Sequence, residues 1–332
     1  MNPFSQFPKV ELHLHLDCSL SFEIVKKLNP AISFNTFFNN FVAPQKCLNL
    51  ADYISRAMQG FRLMQSKESL RLVTLDLFEQ LKKDQVIYAE IRFAPLQHIY
   101  EGLSAYEVVK SVNEAVVEGI RLTGVEAGII LCTLRHYNES QSLQTIELVK
   151  DFKGSKVVGF DLAADEAGFP VDEHIKAFEF AHVNGIDCTA HAGEAKGAES
   201  VWETLKKLKP KRIGHGVRSI EDQELLAYLL KENIHLEICP TSNIQVNVFD
   251  RIENHPVNQL YKSGISVGIN TDARTISAVT LSGEYKKLAD SFGWKTEDFM
   301  NCNLQALEHA FVSGEKKEFI RQKLVEKYKN LL

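Results

Sequence analysis

Polar and apolar positions alternate most sharply between Lys9 and Asp17. Successive side chains of an extended strand point to opposite faces. Val10, Leu12, Leu14 and Leu16 therefore share one face, and Glu11, His13, His15 and Asp17 share the other. Short runs rich in apolar and β-branched residues recur along the chain. They predict eight strands: Val10–Leu16, Val86–Phe93, Glu126–Leu134, Val157–Ala163, Asp187–Ala192, Arg212–Gly216, His235–Cys239 and Ser266–Thr271. Between most of them the apolar residues shift to helical spacing, as with Val108, Val109, Val112, Ala115, Val116 and Ile120 in 106–123, or Leu225, Leu226, Leu229 and Leu230 in 221–233. Repeated strand–helix alternation predicts an α/β fold, a parallel sheet closed as a (β/α)8 TIM-type barrel. A doubly wound open sheet is the alternative. It is weakened because no Gly-rich dinucleotide or phosphate loop follows any strand.

The first connection, 18–84, is far longer than the rest. Its periodicity predicts helices at 22–28, 34–42, 50–64 and 67–83, a helical insertion after the first strand. Phe34, Phe37, Phe38, Phe41 and Phe61 exceed what one surface helix needs. They fit a small core within the insertion, an apolar lid over the barrel mouth, or both. Two closing helices are expected in 297–332. With no repeat, low-complexity tract or linker, residues 1–332 read as one domain.

Composition narrows the function classes. A hydrophobic content of 45% and a charged content of 24% are those of an ordinary soluble protein, and the formal net charge of −5 argues against broad nucleic-acid binding. Lys206, Lys207, Lys209, Lys211 and Arg212 form the one basic run, read as a solvated helix end and loop. The six cysteines are scattered without a Cys-x-x-Cys pair, which suits free thiols in a reducing compartment. Neither a signal peptide nor an apolar run of membrane-spanning length is visible, so the expected location is the cytoplasm. The triplet Asn138-Glu139-Ser140 is then a chance match to a glycosylation site.

In a barrel of this type, active residues gather where strands end. Those ends carry His13, His15 and Asp17; Asp161 to Glu166; His191-Ala192-Gly193-Glu194; His215; and Asn270-Thr271-Asp272. Each has an ordinary structural reading. A His pair on a strand can be hydrogen-bonded surface, His215 can serve a glycine-flanked turn, and Asp165, Glu166 or Asp272 can cap a helix. The barrel, however, predicts one shared location for all of them. Two imidazoles on a strand face are costly to bury unless bound, and histidines with a carboxylate suit Zn²⁺. His13, His15, a later His and Asp272 could hold the ion, which lowers the pKa of a bound water from about 15.7 towards 7. One His remains as a proton shuttle, and a buried carboxyl near His191 is a candidate acid. The fourth strand end lacks the lysine that two-metal barrels often use as a bridge, so one metal is expected.

Taken in order, His13-Leu14-His15-Leu16-Asp17, Asp161 to Glu166, His191-Ala192-Gly193-Glu194, Ile213-Gly214-His215-Gly216, Cys239-Pro240-Thr241-Ser242-Asn243 and Asn270-Thr271-Asp272 resemble the adenosine deaminase family of metal-dependent amidohydrolases. The resemblance implies that His13, His15, His191 and Asp272 ligate one Zn²⁺ per chain. It implies that Glu194 protonates N1 of a purine, and that His215 orients and deprotonates the attacking water. Asp272 would also hold the hydroxide, Asp17 a ribose hydroxyl, and the backbone N–H of Ala164 would meet N3. The implied reaction is hydrolytic deamination of adenosine or 2'-deoxyadenosine. The implied partner is a small purine nucleoside, with no nucleic acid, membrane or protein partner evident. Another 6-aminopurine compound, such as aminodeoxyfutalosine or adenine, is the alternative; a non-catalytic nucleoside-binding protein is a third. Two positions depart from the family pattern. Ala164 stands where the family usually has Gly, and Ala273 where it has a second Asp that contacts N7. Losing such a bond costs about 1.5–3 kcal/mol of recognition. Arg274 can donate to N7 instead, or be solvated or structurally paired.

Overall fold

The computed structural model describes residues 2–331. Its strands are β1 (Lys9–His15), β2 (Val86–Phe93), β3 (Glu126–Leu134), β4 (Val157–Ala163), β5 (Asp187–Ala192), β6 (Arg212–His215), β7 (His235–Ile238) and β8 (Val267–Ile269). All neighbours are parallel and hydrogen-bond in chain order. A parallel bridge between Leu14 and Asp272 joins the two ends. There the His15 N–H donates to Asp272 O at 2.7 Å, and the Asp272 N–H donates to His13 O at 3.1 Å. The sheet is thus a barrel, and the closing bonds lie at the residues with candidate chemistry.

Five helices separate β1 from β2: α1 (Phe22–Leu28), α2 (Phe34–Phe41), α3 (Leu50–Ile54), α4 (Ala57–Leu63) and α5 (Lys67–Lys83). The single helix expected over 50–64 is broken after Ile54, where Ser55 and Arg56 intervene. Around the barrel follow α6 (Ala105–Thr123), α7 (Glu139–Asp151), α8 (Ile175–Val183), α9 (Ala198–Lys207), α10 (Gln223–Lys231), α11 (Pro240–Gln245), α12 (Val257–Lys262) and α13 (Leu281–Phe292). Two more, α14 (Thr296–His309) and α15 (Gly314–Lys329), complete the chain. Local chemistry sets their limits. The Ser104 side chain accepts from Glu107 N–H while Glu107 reaches back, a capping box that opens α6. Gly124, at φ 72°, closes the same helix. No described helix is long and apolar enough to cross a membrane.

The outward face of β1, with Val10, Leu12 and Leu14, is buried beneath the helices. Each such side chain contributes about 1.5–3 kcal/mol by leaving water. The barrel interior is ionic instead. Arg92 Nη2 lies 2.7 Å from Glu237 Oε2, Arg92 Nη1 3.0 Å from Asp161 Oδ2, and Arg212 pairs with Glu90 and Glu237 at 2.6 and 2.7 Å. All five are fully buried. Removing one partner of such a pair leaves a buried charge and costs about 3–5 kcal/mol. The basic run expected to be solvated is therefore split. Lys206, Lys207, Lys209 and Lys211 are exposed, but Arg212 opens β6 and turns into the barrel.

Candidate active site

Three of the loops at the C-terminal ends of the strands begin with an unusual backbone. Ala164 has φ 80°, His215 has φ 62° and Asp272 has φ 64°. These left-handed conformations cost L-residues roughly 1–2 kcal/mol each. They follow β4, end β6 and follow β8, and they turn the chain sharply at the barrel mouth. Glycines make room beside them. A Cβ on Gly214 would come within 3.0 Å of His13 Cε1 and 3.2 Å of His191 Cα, so the rings pack directly on the β6 backbone.

The polar side chains converge on one point. His15 Nε2 is 3.3 Å from His191 Nε2 and 3.5 Å from Asp272 Oδ1, and His13 Nε2 is 3.4 Å from Asp272 Oδ1. His13, His191, His215 and Asp272 each offer an atom within 4.8 Å of the others. His13 Nε2 is buried and makes no hydrogen bond, an orphan in need of a partner. Donors about 2.0–2.1 Å from a shared tetrahedral ion sit about 3.4 Å from one another. The separations therefore suit a metal ion at His13, His191 and Asp272, with two histidines, His15 and His215, close enough to supply the fourth donor. Outer bonds fix the rings. His13 Nδ1 is 2.8 Å from Glu237 Oε2, and His191 Nδ1 is 3.2 Å from Asp161 Oδ1 and 3.1 Å from Leu162 O. Ser242 Oγ donates to Asp272 Oδ2 at 2.7 Å. Such partners orient metal ligands and select the tautomer. Burial, with the charges of the neighbouring imidazoles, pushes His15 down to about 3, so it presents a neutral ring.

Two groups flank this cluster. Glu194 Oε2 lies 3.5 Å from His215 Nε2, and Asn243 Nδ2 lies 3.1 Å from His215 Nδ1. Burial, followed by the charges of Asp272 and Glu166, holds the Glu194 carboxyl well above its ordinary value. Burial and the charge of His13 push His215 well below its own. A protonated carboxyl and a neutral imidazole thus stand side by side, an acid next to a base. Both line a cavity of about 330 Å³, together with His15, Asp17, Ala164, His191, Asp272 and Ala273. Leu50, Ile54, Met58 and Phe61 of α3 and α4 wall its outer side. The phenylalanines of α2 do not reach it; Phe37 and Phe41 are buried in the main core.

The chain matches the adenosine deaminase family over residues 8–327. It belongs to that family. An adenosine deaminase from Clostridium acetobutylicum is 36% identical over 324 residues, which are 96% of this chain and 97% of that one. Among solved structures, an adenine deaminase from Arthrobacter aurescens superimposes with a TM-score of 0.89 at 22% identity, over 97% of this chain and 99% of its own. An amidohydrolase from Burkhoderia ambifaria with bound Zn gives 0.90 at 21% identity, over 99% and 92%. These two similarities show the shared barrel. Family membership makes this adenosine deaminase family chain a hydrolytic deaminase with a metal-binding active site.

Of the roles open to Arg274, the structure displays structural pairing. Arg274 is 4% exposed and turns away from the cavity, its Nη2 2.6 Å from Glu11 Oε2 and its Nη1 3.1 Å from Asp84 Oδ2. Two buried carboxylates claim the guanidinium, so it is structurally paired and gives nothing to N7. Ala273 does line the cavity, within an apolar group containing Leu50, Tyr53 and Ile276. Glu166 had the plain reading of a helix cap. Its Oε1 instead accepts from Gly193 N–H at 2.7 Å, and its Oε2 from Glu194, Ala195 and Lys196 N–H at 3.0, 2.6 and 3.1 Å. It thereby holds the loop that carries Glu194. Glu237 and Asn243 were also missed as supports. Both left a signal: Glu237 shares one strand face with His235, and Asn243 ends the Cys239-Pro240-Thr241-Ser242-Asn243 motif.

Proposed function

We propose that this protein deaminates adenosine and 2'-deoxyadenosine hydrolytically, giving inosine or 2'-deoxyinosine and ammonia. The observation that carries the reading is the Glu194–His215 pair beside the cluster formed by the His13, His15, His191 and Asp272 side chains, next to one cavity. In this reading His13, His15, His191 and Asp272 hold one Zn²⁺ per chain. When bound, the ion supplies Lewis-acid activation of water at neutral pH. Glu194 then holds a proton at N1 of the base, which makes C6 electrophilic. His215, neutral at rest, takes a proton from the attacking water, and Asp272 orients that water. Asp17 receives a ribose hydroxyl, and the Ala164 N–H faces N3.

The cavity favours an uncharged substrate. None of its described lining residues is Lys or Arg, while Asp17 and Asp165 are acidic. A 5'-phosphate, or the carboxylate of aminodeoxyfutalosine, would be desolvated there without a counter-charge. The same reading places the enzyme in the cytoplasm, supported by six unpaired cysteines. A spectrophotometric panel of adenosine, 2'-deoxyadenosine, adenine, AMP and aminodeoxyfutalosine tests it, alongside metal analysis of protein purified without added zinc. Turnover of the two nucleosides and about one zinc per chain are expected. Inert adenosine beside an active alternative would overturn the substrate assignment.

A further inference from the structure

His98 lies outside the groups that the proposed reaction employs, yet its geometry ties it to one of them. It follows the 3-10 turn Pro95–Gln97 after β2 and is completely buried. Its ring sits between Phe61 and Phe93, with centroids 5.7 and 5.9 Å away. Nδ1 is 3.0 Å from Met64 O, at the end of α4. A carbonyl only accepts, so Nδ1 carries a proton there. Nε2 then faces Asp17 Oδ2 at 3.6 Å and has no hydrogen-bond partner. Asp17 is 3% exposed, and the same Oδ2 accepts from Ala94 N–H at 3.3 Å. A bare ring nitrogen facing a carboxylate would set lone pair against lone pair in a buried place. A second ring proton, on Nε2 and donated to Oδ2, satisfies both atoms, makes the ring an imidazolium paired with the Asp17 carboxylate, and needs only a few tenths of an ångström of approach.

We infer that His98 is a positioning residue for substrate specificity. It clamps Oδ2 of Asp17, with Ala94 N–H, so that Oδ1, whose protein donor is the weak Cys18 thiol at 3.6 Å, is left to receive a sugar hydroxyl. The inference rests on the reading of Asp17 as the ribose contact. It also explains how the insertion bears on that contact. Phe61 of α4 lines the cavity and packs on His98, while Met64 at the end of the same helix anchors the ring. The placement of α4 beside the cavity and the alignment of Asp17 are thus joined through one imidazole.

The test compares wild type, His98→Phe, His98→Gln, Asp17→Ala and the double variant Asp17→Ala/His98→Phe. Substrates are adenosine, 2'-deoxyadenosine, 3'-deoxyadenosine, 5'-deoxyadenosine and adenine. His98→Phe keeps the ring volume between Phe61 and Phe93 but loses the donor; His98→Gln keeps a donor. Thermal melting and metal content confirm that each variant is folded and loaded. His98→Phe should raise KM for adenosine about tenfold or more, the scale of one charge-assisted bond, with kcat changed less than about threefold. The loss should vanish on the analogue that lacks the hydroxyl held by Asp17, and His98→Gln should recover part of it. In the Asp17→Ala background, His98→Phe should cost nothing further. Equal losses on every substrate, or additive losses in the double variant, would overturn the inference and leave the proposed function standing. A wild-type enzyme that turns over adenine and no nucleoside would overturn both.

Discussion

Glu194 is a carboxyl that burial converts into an acid. It is 4% exposed, and Oε1 has no hydrogen-bond partner. Desolvation and the nearby Asp272 and Glu166 charges keep it protonated where an exposed glutamate is ionised. Glu194→Gln keeps an N–H donor of the same size but cannot transfer a proton. We expect kcat to fall by about 10²–10⁴ with metal content unchanged, measured by steady-state kinetics and metal analysis. Wild-type turnover would remove Glu194 as the acid. At Ala164 the question is strain. Its φ of 80° suits glycine, and the methyl projects at the cavity wall. Ala164→Gly should relieve about 1–2 kcal/mol of strain and return about 0.4–1 kcal/mol to unfolded-chain entropy. Urea unfolding should show a net stabilisation of about 0.5–1 kcal/mol. A destabilised variant would mean that the strain is not stored there.

The strands show why the fold was legible before the site was complete. β2, β3, β4 and β5 have the limits that their apolar runs predict. The other four shift at one or both ends, because pairing stops where the chain turns into the mouth loops: β1 ends at His15 and β6 at His215. The clustering of His13, His15, His191 and Asp272 was readable because polar residues at strand ends must share one rim. Glu166 was not, because its partners are backbone N–H groups of a distant loop, and backbone donors have no sequence signature. The role of Arg274 stayed open for a related reason: its carboxylate partners, Glu11 and Asp84, come from other parts of the chain. Gly214 shows how an element itself sets the site. A side chain there would meet His13 and His191, so β6 must be bare where the rings cross it. Gly214→Ala should push the His13 ring off its place and weaken metal binding about 10–100-fold, read by competition with a chelator. Unchanged affinity would mean that the ring can give way without cost.

Across the whole molecule, buried neutral histidines make stability depend on pH. His174 is fully buried against α7 and the end of β3, with Nδ1 3.1 Å from Ser142 Oγ and Nε2 3.3 Å from Arg135 O. Burial pushes it down to about 4 from an ordinary 6.5, and the bond to the Arg135 carbonyl only partly opposes this. His255 is pushed down to about 3 by burial alone. Below pH 6.5 the unfolded chain takes up protons that these native rings refuse. Stability is therefore complete above about pH 6.5, and it falls as the pH drops from there towards 4. His174 alone accounts for up to about 2.5 kcal/mol of that loss by pH 4.5. Arg135 also links His174 to the active site, its Nη2 donating to His191 O at 2.8 Å. His174→Gln has amide atoms for both partners and does not titrate. Its urea unfolding free energy should fall less between pH 7.5 and pH 4.5 than that of wild type, by about 1–2.5 kcal/mol. Parallel curves would place the acid sensitivity elsewhere, in the carboxylates that pair inside the barrel.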